Sequence, residues 1–513
     1  MATFSGTNAA ETITPGLVSP TVIATGGAAP GAGSDVIFGD GGKDTLDGGA
    51  GDDNIFGGKG ADLVRGGVGS DIALLGSGND VFEWNPGDGN DTIDGESGYD
   101  ALHFSGANIG EAFDVASNVG HVRVTRNIGN VVMDLNAVEQ IDIAALGGAD
   151  TITINDLVGT GLQRVNVNLF ASGGTTGDGA ADTLTMNGSA GNDALSMSTG
   201  TAAMVVVTGA EVGIDSFSVF GYGGADTIVV GGFDFALTVD GGSELDTISY
   251  AGATAAVTVN LLNPALNEGV AAKHTYISIE SVTGSAFEDF LVGSNASNTL
   301  DGGAGADYLQ GLNGDDTYIV DADDVVIETT NGGTDRVLAS ASLRLTGPAH
   351  VEILETINAN SKAAINLTGN ALAQAITGNR GDNKLSGRGG NDVLNGAQGA
   401  DTLTGGDGKD SFVFDTKLKA TNIDTIKSYV KADDHMVLDK DVFTALSGTG
   451  KLSADAFYAS TSGTAHDFND RILYDTDDGK FYYDKDGLGL GAAVHFATIS
   501  NHPTMSAGEF TIV

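Results

Sequence analysis

The carboxylates of this sequence recur on a fixed step. Set in nines, residues 48–74 read GGAGDDNIF, GGKGADLVR and GGVGSDIAL, with Asp at the sixth position each time: Asp53, Asp62 and Asp71. The same step outward gives Asp35, Asp44 and Asp80, and after a two-residue insertion around Trp84 it resumes with Asp91 and Asp100. A second run from Gly284 sets Asp289, Asn298, Asp307 and Asp316 nine apart, and a third, over about 369–414, carries Asn383, Asp392, Asp401 and Asp410. Glycines fill positions one, two and four of the best copies: Gly48, Gly49, Gly51; Gly57, Gly58, Gly60; Gly66, Gly67, Gly69; Gly302, Gly303, Gly305; and Gly405, Gly406, Gly408. Such a turn needs positive φ and close backbone approach, and it bares carbonyl oxygens for use as ligands. The donor set is therefore all oxygen, carboxylates plus loop carbonyls. That set suits calcium; magnesium demands stricter octahedral geometry and holds its water, and zinc wants His or Cys. Several calcium ions are the expected cofactor, held by the aspartates of the three runs and by the carbonyls of those glycines.

The elements that hold these acids are short strands. Position eight is apolar in Ile37, Leu46, Ile55, Val64, Ala73, Phe82, Ile93 and Leu102. Strand side chains alternate, so positions seven to nine form a strand with only the eighth side chain inward. Two turns make one 18-residue coil, which stacks Asp35, Asp53 and Asp71 in one file and Asp44, Asp62 and Asp80 in the opposite one. Carboxylates about 5 Å apart repel by roughly 0.8 kcal/mol in water and roughly 3 kcal/mol at an effective dielectric of 20. A divalent ion between turns reverses that sign, so folding and metal binding are expected to be one event. Ordinary β-turns, with each Asp capping its own backbone, account for an isolated Gly-Asp copy but not for three registered runs.

Composition narrows the partners. The chain of 513 residues carries 68 Asp plus Glu against 23 Lys plus Arg, a net charge of −45. Phosphates would be repelled, which excludes nucleic acid, and anionic membranes are disfavoured. Scattered surface acidity, as in salt-adapted proteins, would not set Asp at a fixed spacing. The 79 Gly show no G-X-Y period, and an apolar fraction of 41% is too high for a disordered chain. Without Cys there is neither a disulfide framework nor a Cys-ligated zinc. The first residues, MATFSGTNAAETITPG, lack the basic and apolar regions of a signal peptide, and the apolar stretch Ala202–Val207 is too short to span a membrane.

The pattern GGxGxDxUx resembles the RTX, or haemolysin-type, calcium-binding repeat, and the copies starting at Gly48, Gly57, Gly66, Gly302 and Gly405 match its Gly-Gly-x-Gly-x-Asp core in full. The resemblance implies a right-handed parallel β-roll with calcium between adjacent loops. Asn298 and Asn383 at the Asp position, and Gln374 where a further Asp would fall, predict weak or empty sites. Residues 321–367 resemble the strand-rich connector between such blocks and show no site signature of their own. The last hundred residues resemble the C-terminal module of RTX exoproteins, which implies export by a type I secretion apparatus that reads the C-terminus.

The resulting expectation is an all-β chain of parallel β-roll and β-solenoid repeats with a wider solenoid middle and a β-rich C-terminal cap. Its parts are a leader over 1–30, rolls over 31–103, 284–320 and 368–414, a solenoid spacer over 104–283, the connector over 321–367 and the cap over 415–513. In the spacer, GGADTITI and GGADTIVV suggest isolated calcium sites at Asp150 and Asp226. In the cap, Asp475, Asp477, Asp478 and Asp484, Asp486 are further candidates. No HExxH, GxSxG or Walker motif occurs, so no catalytic residue is assigned and the chain is read as a non-enzyme. Three roles compete for a bacterial protein that is secreted, extracellular or bound at the cell surface. It is a calcium-stabilised matrix component, an adhesin or bacteriocin-like binder acting through 104–283, or a carbohydrate-active solenoid using carboxylates on one face. The expected partners are calcium and the secretion apparatus, with cell-surface glycans or further copies of the chain as candidates, and no membrane span.

Overall fold

The computed structural model describes residues 1–200, 203–346 and 349–513. Among these the regular elements are β-strands and a few short 3₁₀ turns. No described helix is long and apolar enough to cross a membrane. The chain forms two compact units, Met1–Thr254 with Pro264–Ile279, and Ala255–Asn263 with Glu280–Val513.

In the first unit the nine-residue step becomes two facing parallel sheets. Val36–Asp40, Asn54–Lys59, Ile72–Gly78 and Thr92–Asp94 stack on one face. Thr45–Ala50, Leu63–Val68, Val81–Trp84 and Ala101–Ser105 stack on the other. Ile37 lies opposite Ile55 and Leu46 opposite Val64, the predicted 18-residue register. The eighth-position side chains from Ile37 to Leu102 are at most 1% exposed and form the core. Three-residue strands were expected, but several run on through the glycines, because the position-one glycine also faces inward, as Gly39 and Gly48 do. Residues 1–30 are more than a leader. Thr3–Thr7 and Thr12–Thr14 pair with the first repeat strands and bury Phe4 and Ile13, which are nine residues apart. The insertion near Trp84 is absorbed locally. The buried indole stacks on Phe104 at 4.4 Å and donates from Nε1 to the Gly89 carbonyl.

Beyond Ser105 the same two-sheet coil widens. Register partners lie farther apart in sequence, as Phe113 with Ile152, Ile152 with Leu184, and Leu184 with Phe217. One departure from parallel stacking is an antiparallel arm, Ala112–Asn118 against His121–Arg126. Its two-residue turn has positive φ at both Val119 and Gly120, the conformation that matches strand twist.

In the second unit one parallel ladder runs from Ser281–Thr283 through Thr299–Asp301, Thr317–Val320, Arg336–Ala339, Ile353–Thr356, Ala375–Thr377, Val393–Asn395 and Ser411–Phe414 to His435–Leu438. The connector thus supplies ordinary coils of the solenoid. The cap adds Val494–Ile499 beside Asp424–Lys427, and antiparallel strands Lys480–Tyr483 and Ile472–Asp475 follow outward. Phe510–Ile512 closes the other sheet against His435–Leu438, with Phe510 and Ile512 buried.

The closeness of the coils is testable at one glycine. Gly60 has φ +148°, and a Cβ there would sit 1.4 Å from the Gly42 carbonyl oxygen, whereas a Cβ on Gly33 meets nothing within 4 Å. In saturating calcium, Gly60→Ala is expected to cost at least about 1–3 kcal/mol, and Gly33→Ala to leave the thermal midpoint unchanged. Equal midpoints for the two variants would refute this packing.

Candidate metal centres

Each repeat acid sits immediately before a strand and has two distinct oxygens. Asp53 Oδ1 accepts the backbone N–H of Asp35, and Asp71 Oδ1 accepts that of Asp53. The opposite file runs Asp44 to Asp62 to Asp80 to Asp100 in the same way, at 2.7–2.8 Å. One oxygen of each acid is therefore a peg that holds the coil before it. The second oxygen is different. In Asp44, Asp53, Asp62, Asp71, Asp80, Asp91 and Asp100, and in Asp307, Asp316, Asp392, Asp401 and Asp410, Oδ2 is buried with no hydrogen-bond partner.

The turn backbone explains the orphaned oxygen. The residue four before each of these acids is left-handed, including non-glycines such as Asp40 (φ 66°), Leu312 (84°) and Arg388 (78°) beside Gly49 (93°). Its N–H can then turn to another acceptor: Gly49 donates to Asp47 and Gly303 to Asp301. Where that residue is not left-handed the N–H returns to the acid. Gly31 donates to Asp35 Oδ2 and Ser285 to Asp289 Oδ2, so these two predicted ligands are already satisfied within the chain. Carbonyls crowd the same spots. A Cβ on Gly48 would meet Asp53 Oδ2 at 2.3 Å and the Gly66 carbonyl at 2.6 Å, and one on Gly67 would meet the Gly49 carbonyl at 2.1 Å. Glycine at position one leaves a cradle lined by an unsatisfied anionic oxygen and carbonyl dipoles. The donor set fits calcium and offers nothing to a nitrogen- or sulfur-seeking metal.

Electrostatics agree. Burial, and then the neighbouring carboxylates, push Asp53, Asp100 and Asp307 up to about 7 and Asp44 and Asp80 up to about 6. Burial likewise raises Asp392 and Asp401 to about 7. Elsewhere in the columns the chain itself supplies what these sites lack. Glu111 stands in the same column, its N–H closed by Asp150 Oδ1, and its carboxylate is paired by the buried guanidinium of Arg126 and the Ala107 N–H. At Glu11 the hydroxyls of Thr7 and Thr21 reach Oε1, and despite burial these bonds hold its carboxyl below the usual range. Asn298, Asn383 and Gln374 are neutral and bonded on both sides of their amides: Asn383 Oδ1 accepts from Asn379, and Nδ2 donates to the Ile365 carbonyl.

The remaining candidates divide. Asp226 has a buried, unpartnered Oδ2, and left-handed Tyr222 lies four residues before it. Asp150 is a buried peg for the Glu111 N–H and is pushed up to about 7 by burial. Asp193 is satisfied by Ser189. In the cap, Asp475 accepts N–H groups of Asp477 and Asp478, and Asp484 those of Asp486 and Gly487, so both clusters shape local turns. Asp335 and Glu328, in the connector, carry a site signature that the nine-residue frame misses. An acid five residues after a glycine that follows a strand, as in Gly221–Asp226, is a looser rule that reaches Asp226 but neither Glu328 nor Asp335, which have Asp323 and Thr330 at that spacing.

A family model for the RTX calcium-binding nonapeptide repeat matches residues 31–55, 47–82, 87–103, 283–319 and 369–412. The nonapeptide turns are RTX calcium-binding repeats. No curated protein matches the chain. These RTX turns are the ones that carry most of the orphaned oxygens, and RTX repeats bind calcium.

Two outcomes follow. A raised carboxyl pKa in the folded state means the metal-free rolls hold more protons than the unfolded chain between about pH 4 and 7, so their stability falls as pH rises through that window. In chelator the β signal should therefore be stronger at pH 4.5 than at pH 7.5 by circular dichroism; the reverse order would contradict the buried-carboxylate picture. Arg126→Met leaves Glu111 buried and unpaired, and should cost about 3–5 kcal/mol even in saturating calcium, read as a drop in thermal midpoint.

Proposed function

We propose that this calcium-binding RTX repeat protein is a secreted structural component of the extracellular matrix or cell surface, exported unfolded and folded outside the cell by calcium. One observation carries the reading: the columns of buried carboxylate oxygens that no group in the chain satisfies. At low calcium those charges oppose closure of the turns and keep the chain threadable. Extracellular modules bind calcium at roughly 10⁻⁴–10⁻³ M, which suits a switch thrown on leaving the cell. Export through a type I apparatus is supported by the final segment. Phe510–Ile512 is paired and buried once folded, so a receptor for it must meet it before folding. A non-catalytic role is supported by the spacer's buried acids. Asp150, Asp182, Asp215 and Asp226 each hold a backbone N–H of the preceding coil, a structural task. Surface glycans and further copies of the chain are the proposed partners.

The test is circular dichroism and small-angle scattering of the full chain against calcium, with a chelator control. The expected result is an expanded, weakly structured chain in chelator and a compact β-rich one in millimolar calcium. Replacing Asp53, Asp62 and Asp71 with Asn should move the midpoint to higher calcium. An identical β signal with and without calcium defeats the proposal.

A further inference from the structure

Within the second unit, three carboxylates converge outside the repeat pattern. One carboxylate oxygen from each of Asp316, Glu328 and Asp335 lies within 4.8 Å of the others. All three residues are buried, at 1%, 5% and 0% exposure. Only Asp316 lies inside the matched repeats. Oδ2 of Asp316 and Oδ2 of Asp335 have no hydrogen-bond partner. Arg336, the cation next in sequence, pairs with Glu355 instead.

The origin of the cluster is a change in the turn. Glu328 directly follows the strand Val325–Ile327, the place that Gly311 takes after Tyr308–Gln310. Elsewhere a glycine stands there because a Cβ would strike the carboxylate five residues on. The turn from Glu328 to Asp335 is two residues longer, which makes room for a side chain. Glu328 is then fixed from both sides. Its Oε1 accepts the Thr329 N–H at 2.6 Å, and its Oε2 accepts from the Tyr318 hydroxyl, which itself accepts the Gly311 N–H at 2.8 Å. A Cβ on Gly311 would meet both Asp316 Oδ2 and the Tyr318 hydroxyl, so that orphaned oxygen faces the same spot. The Leu312 carbonyl, which accepts the Thr329 hydroxyl at 3.0 Å, lies on the Oε1 side of Glu328. A Cβ on Gly332 would meet Glu328 Oε1 at 2.5 Å and that carbonyl at 2.9 Å.

We propose that Asp316, Glu328 and Asp335, with the Leu312 carbonyl, form a three-carboxylate calcium site at the edge of the second repeat run, two of its acids lying outside the nonapeptide turns. Three anionic side chains from two stacked turns replace one acid per turn. Affinity for calcium rises with ligand charge and rigidity, so this site fills first and empties last. The site does not depend on where the protein acts or on how it is exported.

The test counts ions on the full chain. Glu328→Gln keeps the shape and the bond from the Thr329 N–H but removes the charge, its amide nitrogen donating to the Tyr318 oxygen instead of accepting from it. By calorimetry and equilibrium dialysis it should bind one calcium fewer and lose the tightest step, with at least tenfold weaker first binding. Glu355→Gln, which breaks an exposed ion pair, should keep the wild-type count. A second measurement uses terbium at one equivalent, excited through tyrosine. Tyr318→Phe should lower its emission at least twofold. A wild-type calcium count in Glu328→Gln, or undiminished terbium emission in Tyr318→Phe, overturns the site. Chelator-independent folding would instead defeat the calcium-switch reading and leave this ion count standing.

Discussion

A buried acid before most of the repeat strands is the constraint on which the rest of the fold depends. One of its oxygens holds the amide of the coil before; the other is sealed from water and must find a positive partner. The chain meets this demand in five ways, the first being the turn N–H that returns to Asp35 and Asp289. At Glu111 it supplies a guanidinium, and at Glu11 two hydroxyls. At Asn298 and Asn383 the charge is removed and the amide bonds to its own turn. At most of the RTX turns it supplies nothing, and the ion of a calcium-binding repeat is what completes the set.

The charge balance follows from that choice. A chain at −45 tolerates its acids because so many of them point inward toward shared ions rather than outward toward one another. Protons and calcium compete for the same oxygens, and both relieve the same burial penalty. A core of one apolar side chain per repeat is thin. The stacked backbone therefore carries much of the stabilisation that a wider core carries elsewhere, and on the proposed calcium-folding reading the ions between turns add to it.

The repeat runs, the inward eighth position and the 18-residue register were legible because equal turn lengths print spatial stacking directly onto sequence spacing. Legibility failed where turns change length. Asp335 occupies a column position and Glu328 the place of a position-one glycine, yet turns of altered length displace both from the nine-residue count, whereas Asp226 stayed visible through its Gly-Gly-Ala-Asp turn. The same effect hid the coils formed by residues 1–30 and by the connector. Nor does spacing reveal which carboxylates are satisfied. Asp35 and Asp53 occupy the same position in the repeat, and only the handedness of the residue four before separates them.

The peg bonds of the column acids run one way along the chain: the N–H of a repeat aspartate is closed by an acid from the coil that follows. At the end of a repeat block the closing acid comes from beyond it, Glu139 for Asp100, Asp335 for Asp316 and Asp434 for Asp410. The joinery is therefore asymmetric. A block excised after its last aspartate carries away an open socket on its trailing edge. A grafted or recombined block needs its downstream neighbour, whereas on its leading side it offers a peg that any preceding strand amide can use.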